Sequence, residues 1–208
     1  MTPTPTEIAR EDLCRFIAAC YYEPTPAFAE ERMFESMLAA ARQVDPTLEP
    51  VSQRLGEAFA AQDLQTLLID YTRLFLGPVN PLAQPYASFW LTREKTLMQE
   101  STMDVVDLYA EGGFDIDEGF QDLPDHVAAE LEFLYLLNHR LHRAAPASSE
   151  AGSLNDLRQR FLGDHLGLWI GAFTQAVQDG ADTGFYRELG ALTRAFMGLE
   201  MRGLAAAH

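Results

Sequence analysis

Apolar residues recur at steps of three and four through nearly all of this chain, and no segment alternates with the period of two that a half-buried strand requires. That patterning restricts the fold class before any other property does. The chain is expected to be all-α, a single globular multi-helix bundle over residues 1–208. The cleanest instance is Leu64, Leu67, Leu68, Tyr71, Leu74 and Phe75, preceded by Asp63 as a cap and stopped by Gly77-Pro78. Before it, Thr6 is placed to cap a first helix through Tyr21, with Ile8, Leu13, Phe16, Ile17 and Cys20 inward. A second helix is expected from about Ala27 to just before Asp45, carrying Phe28, Met33, Phe34, Met37 and Leu38. A third follows Pro50, with Val51, Leu55 and Phe59 inward.

Past the Pro- and Gly-rich loop 77–85, Tyr86, Phe89 and Trp90 open a helix expected to reach about Glu100. Ser101-Thr102-Met103-Asp104 reads as the cap of another, ending at Gly112-Gly113. Residues 112–122 lack helical periodicity and read as a flexible connection. It leads into the helix that organises the chain. Pro124 suits a first helical turn with Asp122 as its cap, and Val127, Leu131, Leu134 and Leu141 repeat at helical spacing. His126, Glu130 and Phe133 form a second stripe, so this helix is expected to be central. A small-residue linker, 144–152, precedes a helix from near Asn155, bent at Gly163, and a last helix carries Phe185, Leu189, Leu192, Phe196 and Leu199.

No apolar run approaches a membrane span, and the N-terminus lacks a basic-then-apolar signal pattern, so a cytoplasmic protein without stable membrane insertion is expected. The net charge of −16 argues against nucleic acid as partner. Thr96–His139 contains no Lys or Arg and carries eleven acids, which points to a basic partner or to a solvated acidic face. Cys14 and Cys20, six apart on one helix, read as reduced core thiols.

Three constellations bear on chemistry. Asp125, His126 and Glu130 could serve acid–base catalysis, although no nucleophile motif accompanies them. His139 and His142 share a helical face but supply two of the four ligands a metal needs, so no metal and no cofactor are expected. No phosphate-binding or dinucleotide motif is present. Tyr86, Phe89 and Trp90, beside the proline loop, are candidates for an exposed peptide-binding surface.

Several stretches resemble one family in the same order. They are Tyr71-Thr72-Arg73-Leu74-Phe75-Leu76-Gly77-Pro78, Pro85-Tyr86-Ala87-Ser88, Leu123-Pro124-Asp125-His126 with Glu130-Leu131-Glu132-Phe133, and Phe161, His165-Leu166, Trp169 and Phe173. Together they are similar to the TorD/DmsD/NarJ chaperones that mature molybdenum-containing oxidoreductases, with the intact Pro-Asp-His favouring the TorD/DmsD branch. Val79 and Ala87 depart from the residues common there. The resemblance implies a non-enzymatic helical chaperone that binds the N-terminal leader of an apo-molybdoenzyme, commonly a twin-arginine signal. A NarJ-like assembly factor for a non-exported subunit is the alternative, and a helical enzyme using Asp125, His126 and Glu130 is the alternative of another class. Leu74, Phe75, Pro85, Tyr86, Pro124, Asp125 and His126 match positions tied to leader binding in the family, and Trp90 joins them from the surface pattern. A monomer or a dimer swapped through 112–122 is expected.

Overall fold

A computed structural model describes residues 2–77, 81–92, 97–98, 100–116 and 122–205. Thr4, not Thr6, caps α1 (Pro5–Cys20). Its hydroxyl accepts the Glu7 N–H at 3.3 Å while the Glu7 carboxylate accepts the Thr4 N–H at 2.7 Å. Pro5 then occupies the first helical position, where its fixed φ fits and its missing N–H costs nothing. The expected second helix is two, α2 (Ala27–Glu30) and α3 (Met33–Val44), divided at Arg32 in the left-handed region with φ 53°. Phe28 and Phe34 are six apart and would sit on different faces of one helix. The break brings both rings against Phe59, with centroids at 6.2 and 4.5 Å.

Next come α4 (Glu49–Ala60) and α5 (Leu64–Tyr71), the latter capped by Asp63, which accepts the Thr66 N–H at 2.8 Å. A π-helical turn, Thr72–Leu76, extends α5 and is closed by the Gly77 N–H on the Thr72 carbonyl at 2.6 Å. Gly77 takes a φ of 39°, which ends the run. The helix expected from Tyr86 to Glu100 is only α6 (Ala87–Leu91). Thr92 is already extended, and 93–96 and 99 lie outside the described residues. α7 (Glu100–Gly112) starts one residue before Ser101, so Ser101 lies inside the helix and is not its cap. A Cβ on Gly112 would lie 2.5 Å from the Phe133 ring, which is how closely α7 approaches the central helix. Of the expected flexible connection, Phe114 is packed on Tyr109 and Phe133, and 117–121 lie outside the described residues.

The central helix α8 (Val127–Arg143) begins later than expected. His126, not Asp122, caps it, its Nδ1 accepting the Ala128 N–H at 3.1 Å, and Pro124-Asp125 form the turn before. Ser148 caps α9 (Ser149–Arg160), so much of the expected linker is helix. The bend anticipated at Gly163 is a second π turn, Phe161–Leu166, leading into α10 (Gly167–Gly180) and then α11 (Gly184–Ala205). Among the described residues there is no strand, and the one β contact is an isolated bridge between Tyr86 and His126. No described helix is long and apolar enough to cross a membrane.

α8 packs on α1 and α9, while α11 packs on α4 and α10. Val127, Leu131, Phe133, Leu134 and Leu137 are wholly buried, each contributing on the order of 1.5–3 kcal/mol of apolar burial. Buried charges tie the helices together. Glu200 on α11 accepts from Arg10 on α1 and Arg158 on α9, and the Arg158 Nε also donates to Asn138 Oδ1 on α8 at 2.7 Å. Asp70 on α5 accepts the Thr183 N–H at 2.8 Å and its hydroxyl at 2.7 Å, fastening the start of α11. Cys14 and Cys20 are both free and buried.

Candidate peptide-binding site

The loop 81–86 is strapped across the start of α8. The Val127 N–H donates to the Pro85 carbonyl at 2.8 Å, and the Ala87 N–H to the Asp125 carbonyl at 3.0 Å, forming the Tyr86–His126 bridge. Two side-chain bonds hold the strap: Asp125 Oδ2 accepts the Ser88 N–H at 2.8 Å, and the Trp90 Nε1–H donates to the Gln84 carbonyl at 2.8 Å. From below, the Ala83 N–H donates to the Leu74 carbonyl at 2.8 Å. The Tyr109 hydroxyl donates to the Pro124 carbonyl at 2.9 Å. The loop and the helix start, far apart in sequence, are one structure.

The candidate residues divide within it. Leu74, Phe75, Pro85, Asp125 and His126 are buried, so they shape the strap from inside, Phe75 meeting Tyr21, Tyr71 and Tyr186 edge-on and Phe173 at a tilt. Tyr86, Trp90 and Pro124 are half-buried, and Asp122, which accepts the Tyr86 hydroxyl, is exposed. The acids of the segment 96–139 divide by burial, and Asp125 is on the enclosed side. It and Glu130 are fully buried, whereas Glu100, Asp104, Asp107, Glu111, Asp115 and Asp122 are exposed.

His126 lies between two aromatic rings, with Tyr22 stacked at 6.2 Å and Tyr86 edge-on at 5.4 Å. Burial pushes its pKa down to about 4, against the opposing pull of Asp122 and Asp125. Burial also raises the Tyr86 phenol, and the Asp122 carboxylate that accepts its proton raises it further. Glu130 turns the other way, accepting from His165 Nε2 at 2.8 Å and from the Trp169 Nε1–H at 3.1 Å. Burial lifts the Glu130 carboxyl. For His165 burial acts downward, but the Glu130 carboxylate outweighs it and the imidazole is raised. Thus two motif segments of the sequence meet at one buried ion pair. Asp125, His126 and Glu130 are each bonded to a different partner.

His139 and His142 do share a face, as their spacing predicted, and both Nδ1 atoms meet Glu11 of α1, at 3.0 and 2.8 Å. Arg143 joins them on the same carboxylate, and hydrogen bonding from these three holds its pKa down despite burial. Sequence reasoning missed Glu11, because a carboxylate in a helix named for its apolar face gives no periodic signal. Among the described residues no three His, Cys, Asp or Glu converge as a metal site.

The all-helical fold is shared with a solved structure from Archaeoglobus fulgidus, described as a redox enzyme maturation protein, which superposes with a TM-score of 0.59 at 18% identity, covering 95% of this chain and 96% of that one. The chain belongs to the nitrate reductase delta subunit family, whose model matches residues 40–175. It is 31% identical to the chaperone protein TorD of Salmonella arizonae over 163 residues, 78% of this chain and 69% of that protein. It is 26% identical to the TorD of Shewanella loihica over 184 residues, 86% of this chain and 81% of the relative. These relatives are named as chaperones, not enzymes.

Proposed function

We propose that this chain is a cytoplasmic maturation chaperone that binds the N-terminal leader of a molybdopterin-dependent oxidoreductase subunit, one with paired arginines ahead of an apolar run, and holds it until the cofactor is inserted. The observation that carries this is the strap at Tyr86–His126, which sets half-buried Tyr86 against exposed Asp122 at the helix start, with half-buried Trp90 bonded to the same loop through Gln84. Aromatic rings with an apolar body and a polar tip are effective anchors for a peptide. Leu97 and Met98, 39% and 70% exposed, add apolar surface shortly after α6. Asp122, exposed where Asp125 is enclosed, pairs with an incoming guanidinium and fixes register. Leu74, Phe75, Pro85, Pro124, Asp125 and His126 hold that surface in shape.

The test is affinity capture of the tagged chain from its native cells, followed by N-terminal mapping of what is bound. The expected product is an oxidoreductase subunit with its leader uncleaved and its molybdopterin absent. Recovery of only the processed, cofactor-loaded enzyme would overturn the proposal.

A further inference from the structure

We propose that the two arginines of the leader are read separately, Asp122 taking one and Glu132, held by Tyr22 on the far side of His126, taking its neighbour. This rests on the leader reading above and adds Tyr22 and Glu132 to it. Two phenol–carboxylate units flank one imidazole. The Tyr86 hydroxyl donates to Asp122, and the Tyr22 hydroxyl, just past α1, donates to Glu132 Oε1 on α8 at 2.9 Å. The His126 ring separates the two units, with Tyr22 stacked on it at 6.2 Å and Tyr86 edge-on at 5.4 Å. Burial raises the Tyr22 phenol, and Glu132 and then Asp122 raise it further, so both carboxylates stand near one phenol.

Glu132 differs from the enclosed carboxylates around it. Glu11, Glu130 and Glu200 meet Arg143, His165 and Arg10 in turn. Glu132 is half-buried, and neither it nor Asp122 pairs with a cation among the described residues. Burial raises the Glu132 carboxyl, with the Tyr22 hydrogen bond pulling the other way. A carboxylate desolvated without a counter-charge carries a cost that an incoming cation offsets. His126 does not supply that charge, because burial holds its pKa near 4. Glu132 Oε2 accepts no hydrogen bond among the described residues, so it can receive one arm of a guanidinium fork. A guanidinium suits the place better than an ammonium, since it is planar and favours an aromatic ring beside the carboxylate. Successive side chains of an extended peptide leave on opposite sides. Two consecutive arginines crossing His126 therefore address the two units, one each.

The test is a set of double-mutant cycles by isothermal titration, using synthetic leaders in which the first, the second or both arginines are replaced by glutamine. Glu132→Gln should weaken the Arg-Arg leader by roughly fivefold, and that loss should vanish against one of the singly replaced leaders. Asp122→Asn should lose its effect against the other. The Glu132 coupling should persist better in high salt, because screening reaches a half-buried pair less. Glu23→Gln removes an exposed acid that stands with Asp122 near Tyr71, and it should couple to neither arginine. On the unaltered chain, carbon-13 NMR should show the Glu132 carboxyl titrating at lower pH once the leader is bound. Coupling of Glu132 to neither arginine, coupling of both acids to the same one, equal coupling at Glu23, or an unmoved Glu132 titration would overturn the assignment. If the leader then still binds wild type and is weakened by Tyr86→Ala, the leader reading stands and only the division of the arginines is lost. A leader that does not bind wild type overturns both.

Discussion

His126 caps α8 through Nδ1, bridges the backbone of Tyr86 and fills the space between Tyr22 and Tyr86. All three roles suit the neutral imidazole, and burial holds its pKa near 4. An unfolded histidine titrates near 6.5, so as pH falls through that value the unfolded state takes up the proton first. Stability is present above about 6.5 and is lost toward 4, at about 1.4 kcal/mol per pH unit. Urea unfolding should therefore show wild type losing about 2 kcal/mol more between pH 7 and pH 5 than His126→Asn, a variant that keeps a capping side chain. Equal losses would show that the imidazole is not titrating as the buried group described. Little of this was legible from the chain. Proline is favoured both at the first helical turn and at the second position of a β-turn, so Leu123-Pro124-Asp125-His126 alone did not say which. The sequence placed His126 on a helical stripe, and the structure places it at the cap.

Elements here are joined by buried carboxylates. Asp70 fastens the end of α5 to the start of α11, accepting from Thr183 and from the Arg73 guanidinium at 3.0 Å. Asp70→Ala strands those donors and should cost about 3 kcal/mol, read as a lower chemical-denaturation midpoint with the helical spectrum retained. Glu200→Ala, which leaves Arg10 and Arg158 facing a buried void, should cost about as much. A loss below about 1 kcal/mol for both would mean the ion pairs are solvated. Helix existence was readable because burial imposes the 3.6-residue period, and the bend at Gly163 was anticipated. The π turns at 72–76 and 161–166 were not, because one extra residue per turn shifts the phase without interrupting the apolar run. The break at Arg32 was hidden too, since Met33, Phe34, Met37 and Leu38 continue the apolar run without a Gly or Pro to mark it.

At the scale of the whole molecule, motifs that were separate words in the sequence become contacts. Pro85-Tyr86 lies on Asp125-His126, and Glu130 meets His165 and Trp169. Spacing alone could not show which segments touch, nor that Asp125 would be enclosed while Asp122 stays at the surface. That distinction divides the work of binding. Exposed charge pairs contribute only ~0.2–1 kcal/mol each, so Asp122→Asn should weaken leader binding by less than about fivefold at low salt, with the loss shrinking as salt rises. An aromatic anchor contributes about 2 kcal/mol or more, so the apolar part dominates. The most direct measurement is isothermal titration of a leader carrying paired arginines and an apolar run against wild type and Tyr86→Ala, at low and high salt. The leader should bind wild type, and Tyr86→Ala should lose at least tenfold at both salts. A folded Tyr86→Ala protein that binds like wild type would contradict the assignment of the strap as the leader site.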